Sequence, residues 1–390
     1  MKSIKLLLPL CGMSLLLFFI EAKAQLPDHL TVARDSVADM KDDVLHIPGI
    51  SEEINQDVGS YAIKCSAFGV IPVKEIQVDV EERQKVYPGG FPIGIYMKTK
   101  GVLIVGTGEV CDVDGNRQEP VGDLVQSGDY ILAVNHIPVM EKEQVVNQMN
   151  QAVGGSVELS VLRNNEIVEL NVPVVQTGDS EYKAGIWIRD DTQGIGTLTY
   201  WKEDGRFGAL GHGISDIDTS TLLSLEEGNL YQTEIKGISK GESGMPGEVT
   251  GVIRYQDEYI IGSINSNTEL GIFGDGFCGC DDSEAVQEIE VAYKQEINPG
   301  DAVILSKVDG ELKAYDIQIE KLNLNSGDAN KGMVIRVTDP QLLELTGGII
   351  QGMSGSPILQ NGRIVGAVTH VFVNDPTKGY GIFIENMLDH

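Results

Sequence analysis

"GGIIQGMSGSPILQNGRIVGAVTHV", residues 347–371, is the stretch that decides how the rest of the chain is read. At its centre, Gly352-Met353-Ser354-Gly355-Ser356-Pro357 sets a serine between glycines and closes the turn with proline. Asn361-Gly362 then separates two apolar runs, the strongest short signal for a β-hairpin. A nucleophile needs such support, because the tight turn exposes the hydroxyl while the hairpin behind it holds the turn still. In that geometry the N–H groups of Gly352 and Ser354 point at a developing oxyanion.

The pattern occurs twice. "GESGMP", residues 241–246, fits equally well. Ser243, however, is followed by Pro246-Gly247, which reads as a plain turn, with Glu242 rather than a base beside the hydroxyl. Ser356 precedes Pro357, is pushed to an extended backbone and packs into its own turn. Ser354 is therefore the candidate nucleophile. Of the histidines, His212 stands in "FGALGHGISD" between two glycines at a strand end, where its ring can project as a general base. His370 lies on the strand after the hairpin and reads as a residue packed near the site. His29 and His46 fall in linker-like sequence, His136 in a surface loop and His390 at the terminus.

Around these residues, 180–390 is a series of short apolar runs and glycine turns, among them "GIGTLTYW", "GVIRYQDEYIIGSI" and "YGIFI". Many short strands with turn signals predict a barrel or a sandwich. Two glycine-rich halves fit the double β-barrel of trypsin-like enzymes, so the expected fold is mainly β, with residues 180–390 as a serine peptidase domain. Upstream, residues 84–175 hold "FPIGIYM", "GVLIVG", "SGDYILAVN", a helix pattern over 141–153 and two alternating strands around Asn164-Asn165. This order resembles a PDZ domain of the bacterial type, a small α/β unit. The resemblance implies a sheet edge to which an extended peptide adds, with Pro92, Ile93, Gly94 and Ile95 as its carboxylate-binding loop. "DVDGNRQEP" at 112–120 reads as an Asp-Gly turn rather than a calcium loop.

Residues 25–83 read as a linker with a short β segment, where "IQVDVEE" alternates apolar and polar. Residues 1–24 carry Lys2 and Lys5, an apolar run from Leu6 to Ile20 and Ala22-Lys23-Ala24, the parts of an export signal or an N-terminal membrane anchor. The formal net charge of -29 disfavours nucleic acid and anionic lipid as partners. Cys278-Gly-Cys280 has no second pair at zinc-site spacing, and no metal or organic cofactor is implied.

Taken together, "FGALGHGISD", the nucleophile hairpin through "VFVNDPTKGYGIFIENML", the PDZ-like block and "FGVIPVKEIQVDV" resemble the stage IV sporulation protein B (SpoIVB) peptidase family. That family uses a Ser-His-Asp triad, and the matching positions are Ser354 in "QGMSGSP", His212 in "LGHG" and Asp339 in "VTDP". Asp339, followed by Pro340 and "QLLELT", also reads as a helix N-cap, and Asp216 is a local rival for the third role. The resemblance implies an exported serine endopeptidase that crosses the forespore inner membrane and acts in the intermembrane space. Its substrate would be a membrane-bound regulator of an intramembrane protease, whose cleavage activates a late sigma factor. It would also process itself, with its own N-terminal region among the PDZ ligands. The alternatives are an exported PDZ adaptor on an inactive protease scaffold and a quality-control protease of the HtrA type, in which the PDZ unit follows the protease.

Overall fold

The computed structural model of the chain describes residues 17–388, apart from 21, 25, 37–48, 58–59, 153–154 and 280–282. The fold is mainly β, as expected. The greater part of the expected export segment lies outside the described residues. Among those described, no helix is long and apolar enough to cross a membrane.

Residues 29–81 form more than a linker. Four strands pair in the order His29–Ala33, Ile71–Glu81, Ser60–Ala67, Ile50–Asp57, the first pair parallel. The alternation in "IQVDVEE" is realised: Ile76 and Val78 are buried while Gln77 and Asp79 face out. Arg83 ties this sheet to the rest of the molecule. Its guanidinium bonds the carboxylates of Asp35 and Glu296 and the carbonyl of Val291.

The strand Pro92–Thr107 organises the middle of the chain. Its first half pairs on one side with Ile186–Trp201 and on the other with Leu225–Ser239. From there the pairing continues through Ile260–Thr268, Gly271–Asp275 and Phe207–Ala209 to 186–201, which pairs back to 92–107. The ladder of six strands thus returns to its start, around a core that includes Ile93, Ile95, Met97, Leu198, Phe207 and Leu230. The second half of 92–107 pairs with Tyr130–Val134, which continues into the hairpin Ser156–Arg163 and Glu166–Pro173. The helix Lys142–Met149 lays Val145 and Met149 on that sheet's own core. Asn164 and Asn165 take φ of 50° and 66°, the left-handed pair a two-residue hairpin demands.

The C-terminal strands form a closed barrel in the order Gly300–Ser306, Lys313–Leu322, Met333–Val337, Asp375–Phe383, Arg363–Phe372, Pro357–Gln360. Asn361 and Gly362 make the expected hairpin, with φ of 52° and 77°.

One expectation is corrected. Pro92, Ile93, Gly94 and Ile95 are not a peptide-accepting loop. They sit in a central strand with both edges already paired: Ile95 lies opposite Gly194 on one side and Leu230 on the other. Gly94 serves close packing, since a Cβ there would lie 2.4 Å from Thr233 Oγ1 and from Ile253 Cγ2.

Candidate functional site

The nucleophile loop runs between the helix Pro340–Thr346 and the strand Pro357–Gln360. Gly352 and Gly355 hold φ of 100° and 95°, so the loop turns twice through conformations that side chains rarely adopt. Its N–H groups alternate. Those of Gln351, Met353, Gly355 and Ser356 donate to the carbonyls of Gly247, Ile350, Val368 and Met353. Among the described residues, those of Gly352 and Ser354 donate to no carbonyl within the chain. These are the two groups expected from sequence to face an oxyanion. The carbonyl side of the loop is held by strand 186–201. Thr197 N–H donates to Ser354 O at 3.0 Å, Thr197 Oγ1 to Gly352 O at 2.7 Å and Thr199 Oγ1 to Gly355 O at 2.9 Å.

Two left-handed residues, Leu210 and Gly211 with φ of 71° and 70°, bring His212 to the same seam. His212 Nδ1 lies 2.9 Å from Gly213 O. A hydrogen bond there requires the proton on Nδ1, which leaves the Nε2 lone pair free to accept one. The ring stands 4.9 Å from that of His370, inclined by 36°. Burial pushes the His212 pKa below the usual imidazole value, with the Gly213 contact opposing. Burial also lowers His370, and His212 beside it adds to the effect. Ser354 Oγ donates to the carbonyl of Thr369 at 2.7 Å. Ser354 and His212 thus contact one dipeptide, the hydroxyl on the Thr369 carbonyl and the imidazole beside the His370 ring, and among the described residues no hydrogen bond joins the two side chains. A cavity of about 660 Å³, lined in part by Glu269, Asp328, Lys331 and Tyr380, opens beside His370.

Asp339 is not joined to this pair. It caps helix 340–346, its Oδ1 accepting the N–H of Leu342 at 2.9 Å and its Oδ2 that of Asp316 at 3.4 Å. Among the described residues it makes no hydrogen bond or ion pair with His212. Asp216 is also engaged elsewhere. Its buried carboxylate accepts the N–H groups of Asp218 and Thr219 and pairs with Arg189. Burial opposes ionisation of Asp216, but those N–H groups and the guanidinium outweigh it and hold the carboxyl below its usual range.

The second copy of the motif braces the first. Gly241 N–H donates to Thr346 O at the end of the helix, and Gly247 O accepts Gln351 N–H at the start of the nucleophile loop. Ser243 Oγ donates to the carbonyl of Asn374 at 2.9 Å. Ser356 is fully buried, as its place before proline implied.

Sequence reasoning missed Thr197 and Thr199. The available signal was the alternation in "GIGTLTYW", which puts both hydroxyls on one face of the otherwise apolar end of strand 186–201. Among the described residues no group of His, Cys, Asp and Glu is arranged to hold a metal ion. Cys65 is buried, which pushes its thiol up to about 11, while Cys111 and Cys278 are exposed and free.

A serine on a glycine turn, two unpaired N–H groups and a neutral imidazole in one seam are the groups from which serine peptidases build their hydrolytic site. The family model described as SpoIVB peptidase S55 matches residues 180–388, more than half of the chain. The chain belongs to that family and is a serine peptidase, a hydrolase of peptide bonds with a sporulation context. Comparison with curated proteins finds no match.

Proposed function

We propose that Ser354 is the nucleophile and His212 the general base, in a cleft between two β-barrels of the trypsin-like type. The observation that carries this reading is that both side chains contact the dipeptide Thr369-His370, while the loop carrying Ser354 leaves the N–H groups of Gly352 and Ser354 free. Rotation of Ser354 about χ1 releases Thr369 O and turns Oγ toward the imidazole. Such contacts commonly tighten only when substrate is bound. Nε2 takes the hydroxyl proton as Oγ attacks the scissile carbonyl, and the carbonyl oxygen collects its charge between the two N–H groups. The imidazolium then returns the proton to the leaving amine. Water repeats the sequence to release the acyl group. Asp339 is the third member by its match to the family motif, a role that requires its carboxylate to replace the Gly213 carbonyl on His212 Nδ1, a contact it does not make here. The ring of pairings through strands 92–107 and 186–201, beside the closed C-terminal barrel, supports the double-barrel reading.

The sheet and helix between residues 100 and 175 support a PDZ-type unit, by their order and by the helix laid on the sheet. In this reading the protein is exported across the forespore inner membrane. It cleaves a membrane-bound regulator of an intramembrane protease, and it processes its own N-terminal region. The test is labelling by a fluorophosphonate, with turnover of a small ester, in the wild type, Ser354→Ala and Ser243→Ala. Loss of both signals in Ser354→Ala alone is the expected result, with turnover falling by several orders of magnitude. An unlabelled wild type would replace the peptidase assignment of these residues with the adaptor reading.

A further inference from the structure

We propose that Thr197 is a positioning residue that sets the nucleophile loop against the His212 loop. The inference rests on the reading of Ser354 and His212 as the reacting pair. Thr197 is 4% exposed, and each of its polar groups is spent on one of the two loops. Its N–H holds Ser354 O at 3.0 Å. Its hydroxyl holds Gly352 O at 2.7 Å. Its carbonyl accepts the N–H of Leu210, two residues before His212, at 3.2 Å.

The consequence is local and specific. Thr197 fixes the two peptide planes on the carbonyl side of Gly352 and Ser354. The planes that carry the free N–H groups of those residues are fixed from other directions. Gln351 O accepts Val249 N–H, and Met353 O accepts Ser356 N–H, each at 2.9 Å. With all four planes held, the two N–H groups keep their aim without a reacting partner, the preorganisation that oxyanion stabilisation requires. No other described residue bonds both loops through its backbone and its side chain. Thr199, on the same face of the strand, reaches only Gly355 O through its hydroxyl.

Thr197→Val tests this, because valine keeps the shape, the N–H and the carbonyl and removes only the hydroxyl. The half-buried carbonyl of Gly352 then lacks its side-chain donor, and its peptide plane is held only at the other end, by the Met353 N–H on Ile350 O. The expected result is a kcat for a small ester reduced by roughly 10-fold, the scale of one lost hydrogen bond at a half-buried acceptor expressed in a rate. KM should stay within about twofold. Thr197→Ser, which restores the hydroxyl, should recover kcat to within a few-fold. Thr199→Val, a matched loss at Gly355, should cost at least fivefold less. A lowered melting temperature with unchanged kcat in Thr197→Val would overturn the proposal, as would equal kcat losses at Thr197 and Thr199. If Thr197→Val does not fold, Thr197→Cys supplies a poor donor of similar size. A Cys variant within twofold of the Ser variant in kcat would also overturn it. Failure of the underlying reading is separately visible, since Ser354→Ala would then retain turnover whatever happens at Thr197.

Discussion

Substituting Gly355 by Ala tests how the two loops are held together. Gly355 has φ of 95°, and a Cβ built there lies 2.1 Å from Thr197 O and 2.6 Å from Leu210 N. Both are backbone atoms of neighbouring segments, with no flexible side-chain end to yield. Carbon contacts ordinarily begin near 3.5 Å, so the seam must open by about 1 Å. Two costs add. A left-handed alanine costs about 1–2 kcal/mol, and overpacking a filled site costs about 1–3 kcal/mol. The sum is about 2–5 kcal/mol. Gly362→Ala separates the two, because Gly362 also has positive φ, 77°, but nothing lies within 4 Å of its Cβ position. That variant should lose only the conformational part. Denaturant unfolding of both variants measures the difference, expected at about 1–3 kcal/mol. Ester turnover supplies the second reading. Moving a reacting group by about 1 Å costs on the order of a hundredfold, so Gly355→Ala should lose that much in kcat and Gly362→Ala almost none. Equal stability losses with equal, near-normal turnover would refute the account of Gly355 as the contact point of the two loops.

Other perturbations address single residues. His212 is held below its usual pKa by burial, so it stays a neutral base to lower pH, and the acid limb of kcat/KM should have its midpoint below the ordinary value of about 6.5. By the same linkage the unfolded chain binds the His212 proton more readily than the folded one, so this contribution to stability is present above about pH 6.5 and is lost below it. A midpoint at or above 6.5 in the ester profile would contradict the burial. Asp339→Ala should lose about 0.5–2 kcal/mol with its helix cap, whereas Asp339→Asn should melt normally because asparagine caps as well. Turnover in Asp339→Asn is expected to fall by roughly four orders of magnitude, as for a triad carboxylate. Normal turnover would leave Asp339 as a cap and the Gly213 carbonyl as the group that orients His212. Asp216→Asn should lower thermal stability by weakening the pair with Arg189, with turnover per folded molecule unchanged; a collapse of turnover would instead make Asp216 the third member.

The sequence shows most clearly what local chemistry dictates. Asn361-Gly362 and Asn164-Asn165 have to turn, and they do. The alternation of "IQVDVEE" has to bury Ile76 and Val78, and it does. The hairpin after Ser354 is legible in its C-terminal neighbours, whereas the turn expected at Pro246-Gly247 forms instead at Ser243-Gly244, between the mutually bonded Glu242 and Met245. Non-local pairing is not legible. "FPIGIYM" looks like a loop before a strand because its glycine and proline punctuate it, yet neighbours more than ninety residues away pair with both of its edges. Nothing within the stretch specifies those partners. Residues 50–67 read as linker because their polar and acidic side chains mask a two-stranded pattern, which is visible only once Ile63 meets Ile76 from the next strand. Thr197 shares this problem. A threonine on a strand carries no mark of function until the loop it holds arrives from more than 150 residues further along.

The connection between the upstream unit and the site is made by one strand. Ile186–Trp201 begins against the second half of strand 92–107, where Ile186 and Ile188 pack on the core that helix 142–149 covers. Asp190 accepts the backbone N–H of Lys142 at that helix's start and pairs with its ammonium. Arg189 pairs with Asp216 on the segment just past His212. Eight residues on from Arg189, Thr197 holds the nucleophile loop. A single extended segment thus touches the upstream helix, the His212 segment and the Ser354 loop, with no linker between them. The expected boundary at 84–175 therefore does not mark a removable unit. Cutting there deletes strand 92–107, which opens the ring of pairings and leaves Ile186–Trp201 unpaired along most of its length. Loss of ester turnover in such a deletion would report a broken sheet. A role of the upstream unit in choosing substrates must therefore be sought with changes confined to its own helix and hairpin, which leave strand 92–107 and its two partners in place.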